Sequence, residues 1–430
     1  MNRKRKDLKI VVLVIAVGLA VAMPAAASTP ETTNAAVNRI ADQLVENQIK
    51  EGSNAGAWPA QSPYPRGWFT GTMVAGLTEA YWMTCKTAYR DAAELGGQWI
   101  LDNADTCNFF HDEAYALASL SEMACNPQDN TWRDALTQFF DCVRGQPDDP
   151  EDPEFGDLAG TEWYIAKIAD ELDPAYATFQ VAYYTVAAHY VDDPDKGIWR
   201  AGLIDLLATV ENASESPIMA LGAATWALSL TGPMDDTPAF AGDSQWTGFG
   251  GATASDLSDL PPLLKSYIFH GPCILGKFDG HFYWLYLPQD EGDAGYTAPN
   301  VYGMMGLAAA MQTNPELDYR AEIDIVWRRT LNAIDVNGDV WYDAALGPGS
   351  SYDATYYAYA GELLQALSAA ALPGDINRDD KVNPLDLKAL AINWLSGDGC
   401  STCSIADLTR DRQVNLADFA KLAEGWMLER

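Results

Sequence analysis

The sequence predicts an all-α protein, a toroid of paired helices of the (α/α)6 type followed by a small module of two calcium loop-helix repeats. Two observations predict this fold. Along residues 28–372, six Ala-rich segments that are apolar on most faces alternate with more polar, one-sided segments, and a helix that is apolar all round is usually buried. A 12-residue pattern of oxygen-bearing side chains then occurs twice near the C-terminus, 32 residues apart.

The first 27 residues have the organisation of a secretory signal peptide. A basic stretch over residues 2–9 precedes an apolar stretch over residues 10–23, and Ala25, Ala26 and Ala27 follow Pro24. This order predicts export with cleavage near Ala27. The alternative is an uncleaved membrane anchor, although about 20 apolar residues are needed to span a bilayer. We therefore expect a secreted, extracellular protein, free or attached to the cell surface, that no longer contacts the membrane after cleavage.

The chain is strongly acidic, with a formal net charge of −33. Nucleic acid and anionic membrane surfaces repel such a chain, so neither is an expected partner. The 48% of hydrophobic residues and the 14 Trp favour a folded protein over a disordered one. Export permits disulfides among the seven Cys, and the odd count leaves at least one of them unpaired.

The helix prediction follows the periodicity of the apolar residues. The inner helices are predicted over residues 70–84, 111–124, 174–191, 216–231, 297–313 and 353–370. The outer helices are predicted over residues 34–50, 87–103, 131–144, 196–210 and 318–334, and a further helix over 163–172 has no assigned place. Residues 232–260 are predicted to be irregular, and a hairpin is predicted over residues 273–287.

The two C-terminal repeats have oxygen-bearing side chains at positions 1, 3, 5, 9 and 12 of a loop, while position 7 offers its backbone carbonyl. Calcium takes six to eight oxygen ligands, and this is the spacing of a calcium-binding loop. The predicted ligands of the first loop are Asp375, Asn377, Asp379, Lys381, Asn383 and Asp386. The predicted ligands of the second loop are Asp407, Thr409, Asp411, Gln413, Asn415 and Asp418.

The second loop departs further from a good calcium site than the first. Position 6, where Gly allows a sharp turn, is Asp380 in the first loop and Arg412 in the second. Asp adopts the left-handed conformation more readily than Arg, and Thr409 is a poorer ligand than Asn377. We expect two calcium ions, the second bound more weakly, and we expect the apolar residues at position 8, Val382 and Val414, to join the loops.

Residues 374–428 resemble the dockerins of secreted polysaccharide-degrading enzymes. The resemblance implies calcium-dependent folding and docking onto a cohesin-like or cell-surface receptor. Many dockerins carry a polar pair facing the cohesin at positions 10 and 11, where this chain has Pro384-Leu385 and Leu416-Ala417. The resemblance therefore does not extend to this pair. The alternative to receptor docking is a module in which bound calcium has a purely structural role.

The helical body is similar in helix rhythm to the toroids of glycoside hydrolases, polysaccharide lyases and squalene-cyclase-type repeat proteins. Gln48 with Gly56-Ala57-Trp58 is similar to the Gln…Gly…Trp repeat of the last group. The acidic DxDD motif of the cyclases is absent from the sequence. Export and this absence disfavour a terpenoid cyclase.

Five residues near the predicted N-termini of the inner helices are candidates for catalysis. His111, Asp112 and Glu113 open the second inner helix, Asp353 opens the sixth, and His281 lies in the loop before the fifth. Two carboxyl groups suffice for glycoside hydrolysis, whereas a lyase needs a base such as His or Tyr. The structural alternative is that these acids cap helices or complement the helix dipole.

The predicted function is polysaccharide breakdown by a secreted, dockerin-bearing protein with a polysaccharide substrate. We favour hydrolysis of O-glycosyl bonds over a lyase reaction. The alternative is a non-catalytic toroid that binds glycan or protein and is tethered by its dockerin.

Overall fold

The computed structural model describes residues 32–60, 69–124, 129–146, 158–210, 217–236, 246–247, 253–270, 297–314, 316–340, 357–394 and 404–427. In chain order the helices of these ranges are α1 (Thr33–Asn47), α2 (Thr70–Thr84), α3 (Thr87–Asn103), α4 (His111–Met123), α5 (Thr131–Arg144), α6 (Gly160–Glu171), α7 (Pro174–Tyr190), α8 (Lys196–Leu207), α9 (Pro217–Thr231), α10 (Leu260–His270), α11 (Thr297–Thr313), α12 (Arg320–Thr330), α13 (Tyr357–Ala369), α14 (Pro384–Ile392) and α15 (Leu416–Glu424). Short 3-10 turns at Leu257–Asp259 and Leu331–Ala333 adjoin α10 and α12.

The described residues confirm the all-α fold class. Their strands, β1 (Trp246–Thr247) and β2 (Thr253–Ala254), form one short antiparallel pair in which Trp246 pairs with Ala254. None of the described helices is both long enough and apolar enough to span a bilayer. The predicted signal peptide, residues 1–27, and the predicted hairpin over 273–287 lie outside the described residues.

Six helices, α2, α4, α7, α9, α11 and α13, form a closed inner ring. Each packs against the next, and α13 packs against α2 to close the ring. Glycines permit this close approach at two places. A Cβ on Gly76 would lie 2.5 Å from the carbonyl oxygen of Gly361, and one on Gly222 would lie 2.5 Å from that of Tyr302. The inner helices are therefore the predicted apolar segments, and their neighbours bury them on most sides.

Six further helices, α1, α3, α5, α8, α10 and α12, pack against the inner ring, and α6 packs against α5, α7 and α8. Helix α10 was not predicted; it begins at the end of residues 232–260, predicted to be irregular, and precedes the hairpin predicted over residues 273–287. Its first turn contains Pro261 and Pro262, which suit the start of a helix because the first-turn N–H groups have no partner within the helix. This helix completes the six outer positions that an (α/α)6 toroid requires.

The C-terminal module has a small core of its own. It consists of Leu372, Ile376, Val382, Leu390, Ala406, Val414 and Leu422. Val382 and Val414 lie together in this core, as predicted. The sequence places one apolar stripe on each helix, made of Leu387, Leu390, Ala391 and Trp394 in the first and of Phe419, Leu422, Ala423 and Trp426 in the second. Of these residues only Leu390 and Leu422 are buried, while Trp394 and Trp426 are each 40% exposed. Two short helices cover one side of each other only, so the outer half of each stripe faces solvent.

The module joins the toroid with almost no linker. Gly374 has a φ of +87°, a conformation that favours glycine. A Cβ at Gly374 would lie 2.5 Å from the Cα atom of Leu422 in α15. The joint is thus packed against the second helix of the module.

One disulfide, between Cys107 and Cys142, ties the segment before α4 to α5. Cys85 is also disulfide-bonded. Cys125, Cys273, Cys400 and Cys403 lie outside the described residues. These three bonded cysteines agree with the expectation that export permits disulfides in this chain.

Candidate active site and calcium loops

Asp112 links the first turns of two inner helices. It is the second residue of α4, and its Oδ2 accepts hydrogen bonds from the backbone N of Thr72 at 3.2 Å and from the Thr72 hydroxyl at 3.4 Å. Its side chain is buried, with 4% of the residue exposed. Asp112 therefore stabilises the start of α2, a neighbouring helix, and does not cap its own.

Glu113 closes the start of its own helix. Its Oε2 accepts a hydrogen bond from the backbone N of Phe110 at 2.9 Å, as in the second half of a capping box. Burial raises the pKa of Glu113 to about 8, with a further contribution from the charge of Asp112. This hydrogen bond gives Glu113 a helix-capping role, which is the structural alternative to catalysis.

His111 begins α4 and faces aromatic rings. Its ring lies edge-on to Phe179, with centroids 5.2 Å apart, and edge-on to Tyr183 at 5.5 Å. Burial lowers the pKa of His111, although the charge of Asp112 opposes this. The Nδ1 atom is buried and has no hydrogen-bond partner among the described residues.

Glu362, in α13, is the acid that the sequence analysis missed. Burial raises its pKa to about 8; a hydrogen bond from the Tyr302 hydroxyl lowers it, and the charge of Asp112 raises it further. The hydroxyl oxygens of Tyr302 and Tyr183 are 3.0 Å apart, and Oε2 of Glu362 has no hydrogen-bond partner within the described ranges of the chain. We call His111, Asp112, Tyr183, Tyr302 and Glu362 the axial cluster.

A sequence signal for Glu362 exists. It is the one acidic residue within the apolar segment Tyr357–Ala369, between Gly361 and Leu363. A charged residue on a helix predicted to be buried on most faces requires a partner or a function. The other two candidates, Asp353 and His281, lie outside the described residues.

The axial cluster combines a proton donor with a second carboxyl group. Glu362 retains its proton at neutral pH because its pKa is raised to about 8. The charge of Asp112 acts directly on Glu362. Within the described part of the chain, neither Lys nor Arg contributes to the pKa of Glu362 or of His111. The cluster is therefore suited to proton transfer on a neutral substrate.

In the first calcium loop, the carboxylates organise the backbone. Asp375 accepts hydrogen bonds from the backbone N of Asp379 at 3.1 Å and of Asp380 at 2.8 Å. Asp386 accepts from the backbone N of Ile376 at 2.8 Å and of Asn383 at 2.8 Å. These bonds hold the loop closed around its acidic side chains.

In the second loop, three carboxylates converge. Oxygen atoms of Asp407, Asp411 and Asp418 all lie within 4.8 Å of one another. Oδ1 of Asp407 is buried, and none of the described residues is its hydrogen-bond partner. Converging carboxylates with an unpaired buried oxygen fit a calcium ion, which accepts carboxylate oxygens as ligands.

The position-6 residues adopt the sharp turn that the sequence analysis expected to be unfavourable for them. The φ angles are +65° for Asp380 and +70° for Arg412, so both are left-handed without being glycine. At position 9, Asn383 accepts a hydrogen bond from Leu385 N at 2.8 Å, and Asn415 accepts one from Ala417 N at 2.8 Å. Both Asn side chains therefore cap the helices that follow their loops.

The two loops and their helices match a known domain. The family model of the dockerin type I domain matches residues 373–424. These residues are a dockerin type I domain. Dockerin domains bind calcium and cohesins, which agrees with the predicted metal and with the kind of partner. A search of curated protein sequences finds no match to the chain.

The toroid is similar to solved structures of carbohydrate-active proteins. A cellobiose 2-epimerase from Bacillus thermoamylovorans matches with a TM-score of 0.53 and 12% identity, over 78% of this chain and 98% of that one. An α-1,6-mannanase from Salegentibacter matches with a TM-score of 0.49 and 13% identity, over 79% and 99%. A polysaccharide lyase matches with a TM-score of 0.47 and 12% identity, over 78% and 96%. At these identities, the epimerase match supports the toroid fold and nothing further.

Proposed function

We propose that the protein is a secreted glycoside hydrolase that cleaves O-glycosyl bonds of a polysaccharide and is anchored through its dockerin. The observation that carries this proposal is the pair of carboxyl groups in the axial cluster, one with a raised pKa and one that acts on it by its charge. Glycoside hydrolysis needs one acid and one base or nucleophile. The predicted signal peptide over residues 1–27 supports export.

In the proposed reaction Glu362 is the acid. It donates its proton to the glycosidic oxygen, so the leaving sugar departs as an alcohol. In one route Asp112 takes a proton from the water that attacks the anomeric carbon, which inverts the anomeric configuration. In the other route Asp112 attacks that carbon itself and forms a glycosyl ester; water deprotonated by the Glu362 carboxylate then displaces Asp112, and the two displacements together retain the configuration. Tyr302 holds the Glu362 carboxyl in place through its hydrogen bond.

A lyase is the second candidate, and one observation favours it. Nδ1 of His111 is buried beside the ring of Tyr183 and accepts or donates no hydrogen bond in the part of the chain that the structure describes. The imidazole of His111, whose pKa burial lowers, is a suitable base for removing the proton next to a uronate carboxyl group, whereas burial raises the pKa of the Tyr183 hydroxyl and keeps it protonated. The lack of a Lys or Arg acting on the described axial cluster makes a neutral sugar the better substrate.

A screen of the full chain against a panel of neutral and uronate-containing polysaccharides tests this function. The assay measures new reducing ends and unsaturated products in parallel. Reducing ends without unsaturation support the hydrolase, and unsaturated products support the lyase. Binding of a glycan without any cleavage would support the non-catalytic toroid.

For the dockerin we propose two calcium ions, the second bound more weakly, and a receptor with an apolar docking surface. Leu385 is 56% exposed and Leu416 is 72% exposed, at the positions where many dockerins present polar residues. Calcium titration by calorimetry tests the two sites. Binding to a panel of cohesins, compared between the wild type and Leu416→Asp, tests the receptor surface, and unchanged affinity in the variant would contradict its role.

A further inference from the structure

The dockerin contacts the opposite end of the toroid from Asp112. Arg410, at position 4 of the second calcium loop, donates to both carboxylate oxygens of Glu79, at 3.1 Å and 2.5 Å. It also donates to the hydroxyl of Ser368 at 3.0 Å. Glu79 lies in the second half of α2, and Ser368 is in the last turn of α13. One dockerin side chain therefore joins the C-terminal halves of the two helices that close the ring.

A second arginine of the same loop reaches a third inner helix. Arg412, at position 6, donates hydrogen bonds to the backbone carbonyl of Glu122 at 3.1 Å and to that of Ala124. These carbonyls belong to the C-terminal end of α4, where helix carbonyl groups have no partner within the helix. Arg410 also lies 3.8 Å from the carboxylate of Glu122 and over the ring of Trp82.

The conformation of the loop that presents these arginines depends on its carboxylates. Arg410 and Arg412 have φ angles of +58° and +70°, which are strained for arginine. The backbone N of Arg412 donates to Asp407 at 2.8 Å. The carboxylates of Asp407, Asp411 and Asp418, within 4.8 Å of one another, repel each other unless a cation neutralises them.

We propose that the second calcium loop fastens the dockerin to the toroid, so that calcium bound in this loop stabilises the C-terminal turns of α2, α4 and α13. Calcium holds the loop in the strained conformation that directs Arg410 at Glu79 and Arg412 at the end of α4. The bidentate pair supplies the charge that Glu79, largely buried in the toroid, requires. By linkage, toroid docking and calcium binding strengthen each other.

Hydrogen-deuterium exchange of the full chain, with calcium and with EDTA, tests the proposal. We expect EDTA to speed amide exchange in residues 79–84, 119–123 and 365–369 by about tenfold, since a hydrogen-bonded charged pair contributes about that factor to local stability. The first turns of α2 and α4, around Thr72 and Asp112, should not respond. Exchange in residues 404–424 reports calcium binding by the dockerin itself.

Two variants approach the contact from opposite sides. In Arg410→Met and in Glu79→Gln, residues 404–424 should keep their protection by calcium, while the toroid turns lose their response to it. Glu79→Gln leaves the loop sequence intact, so it still tests the Arg410–Glu79 contact if Arg410→Met disturbs the loop. Lys388→Met removes one charge from an exposed position of α14 and should behave as the wild type.

The exchange pattern of the wild type and of the two contact variants distinguishes the proposal from its alternatives. A calcium effect confined to residues 404–424 in the wild type, or absent from the whole chain, would overturn the proposal. A toroid response that persists in both variants would overturn the assigned contact. Loss of the response in both variants, with Lys388→Met unchanged, supports it.

Discussion

The protonation of Glu362 predicts how the stability of the toroid depends on pH. Its pKa is raised from the ordinary 4.5 to about 8 by burial, so the folded protein binds this proton more tightly than the unfolded chain. The contribution of Glu362 to the free energy of unfolding is fully present below pH 4.5, and it is lost as the pH rises toward 8. Integration between about pH 5.5 and about pH 8.5 gives a loss of about 3 kcal/mol.

Glu362→Gln keeps the size of the side chain and removes its titration. We expect the variant to match the wild type within about 1 kcal/mol at pH 5.5 and to be about 3 kcal/mol more stable at pH 8.5. Urea denaturation at constant calcium concentration measures both free energies of unfolding. Glu46→Gln, on the exposed face of α1, is the matched control. Parallel pH dependences of the wild type and Glu362→Gln would refute the buried, protonated carboxyl.

Three further predictions concern the axial cluster and the disulfide. Asp112→Asn keeps an oxygen that accepts hydrogen bonds from Thr72, so the free energy of unfolding should change by less than about 1 kcal/mol. The rate of glycan cleavage should fall by about 10²–10⁴-fold. A loss of stability as large as the loss of activity would assign Asp112 a structural role only. Tyr302→Phe removes the hydrogen bond that lowers the pKa of Glu362, so the pH-dependent loss of stability should extend to higher pH in the same urea assay; an unchanged profile would contradict this contact. Cys142→Ser opens a disulfide that joins residues 35 apart in sequence and should cost about 4 kcal/mol in a chain-entropy account, measured by denaturation with and without reductant; a wild-type midpoint in the variant would contradict it.

The sequence predicted the ring well, for a physical reason. An inner helix is surrounded by protein, so its segment is apolar on most faces, and this pattern does not depend on which neighbours it has. The predicted bounds of the helices Thr70–Thr84 and Thr297–Thr313 agree with the structure. Helix α10 was missed because it has only 11 residues and directly follows the irregular residues 232–260, with Pro261 and Pro262 in its first turn.

The candidate site was predicted only in part. His111, Asp112 and Glu113 are adjacent in the chain and were found as a motif. Glu362 lies 250 residues from Asp112, and only the closure of α13 onto α2 brings the two carboxyl groups together. A single acid within a helix gives no spacing to recognise, whereas the calcium ligands are local in sequence and were found by their spacing.

The contact between dockerin and toroid was not foreseen either. Arg410 and Arg412 lie at loop positions that contribute no side-chain ligand, so the calcium pattern does not constrain them. Their partners Glu79 and Glu122 lie on segments that were predicted as inner helices. Only the packed joint at Gly374 places the loop against the end of the ring.

The measurement that tests the central claim most directly is product release from the polysaccharide that responds in the panel. Equal concentrations of wild type, Asp112→Asn and Glu362→Gln are compared, with Glu46→Gln as the control. The two-carboxyl mechanism predicts reducing ends from the wild type and the control, and rates lower by at least about 10²-fold in the other two variants. Wild-type rates in both Asp112→Asn and Glu362→Gln would contradict the account.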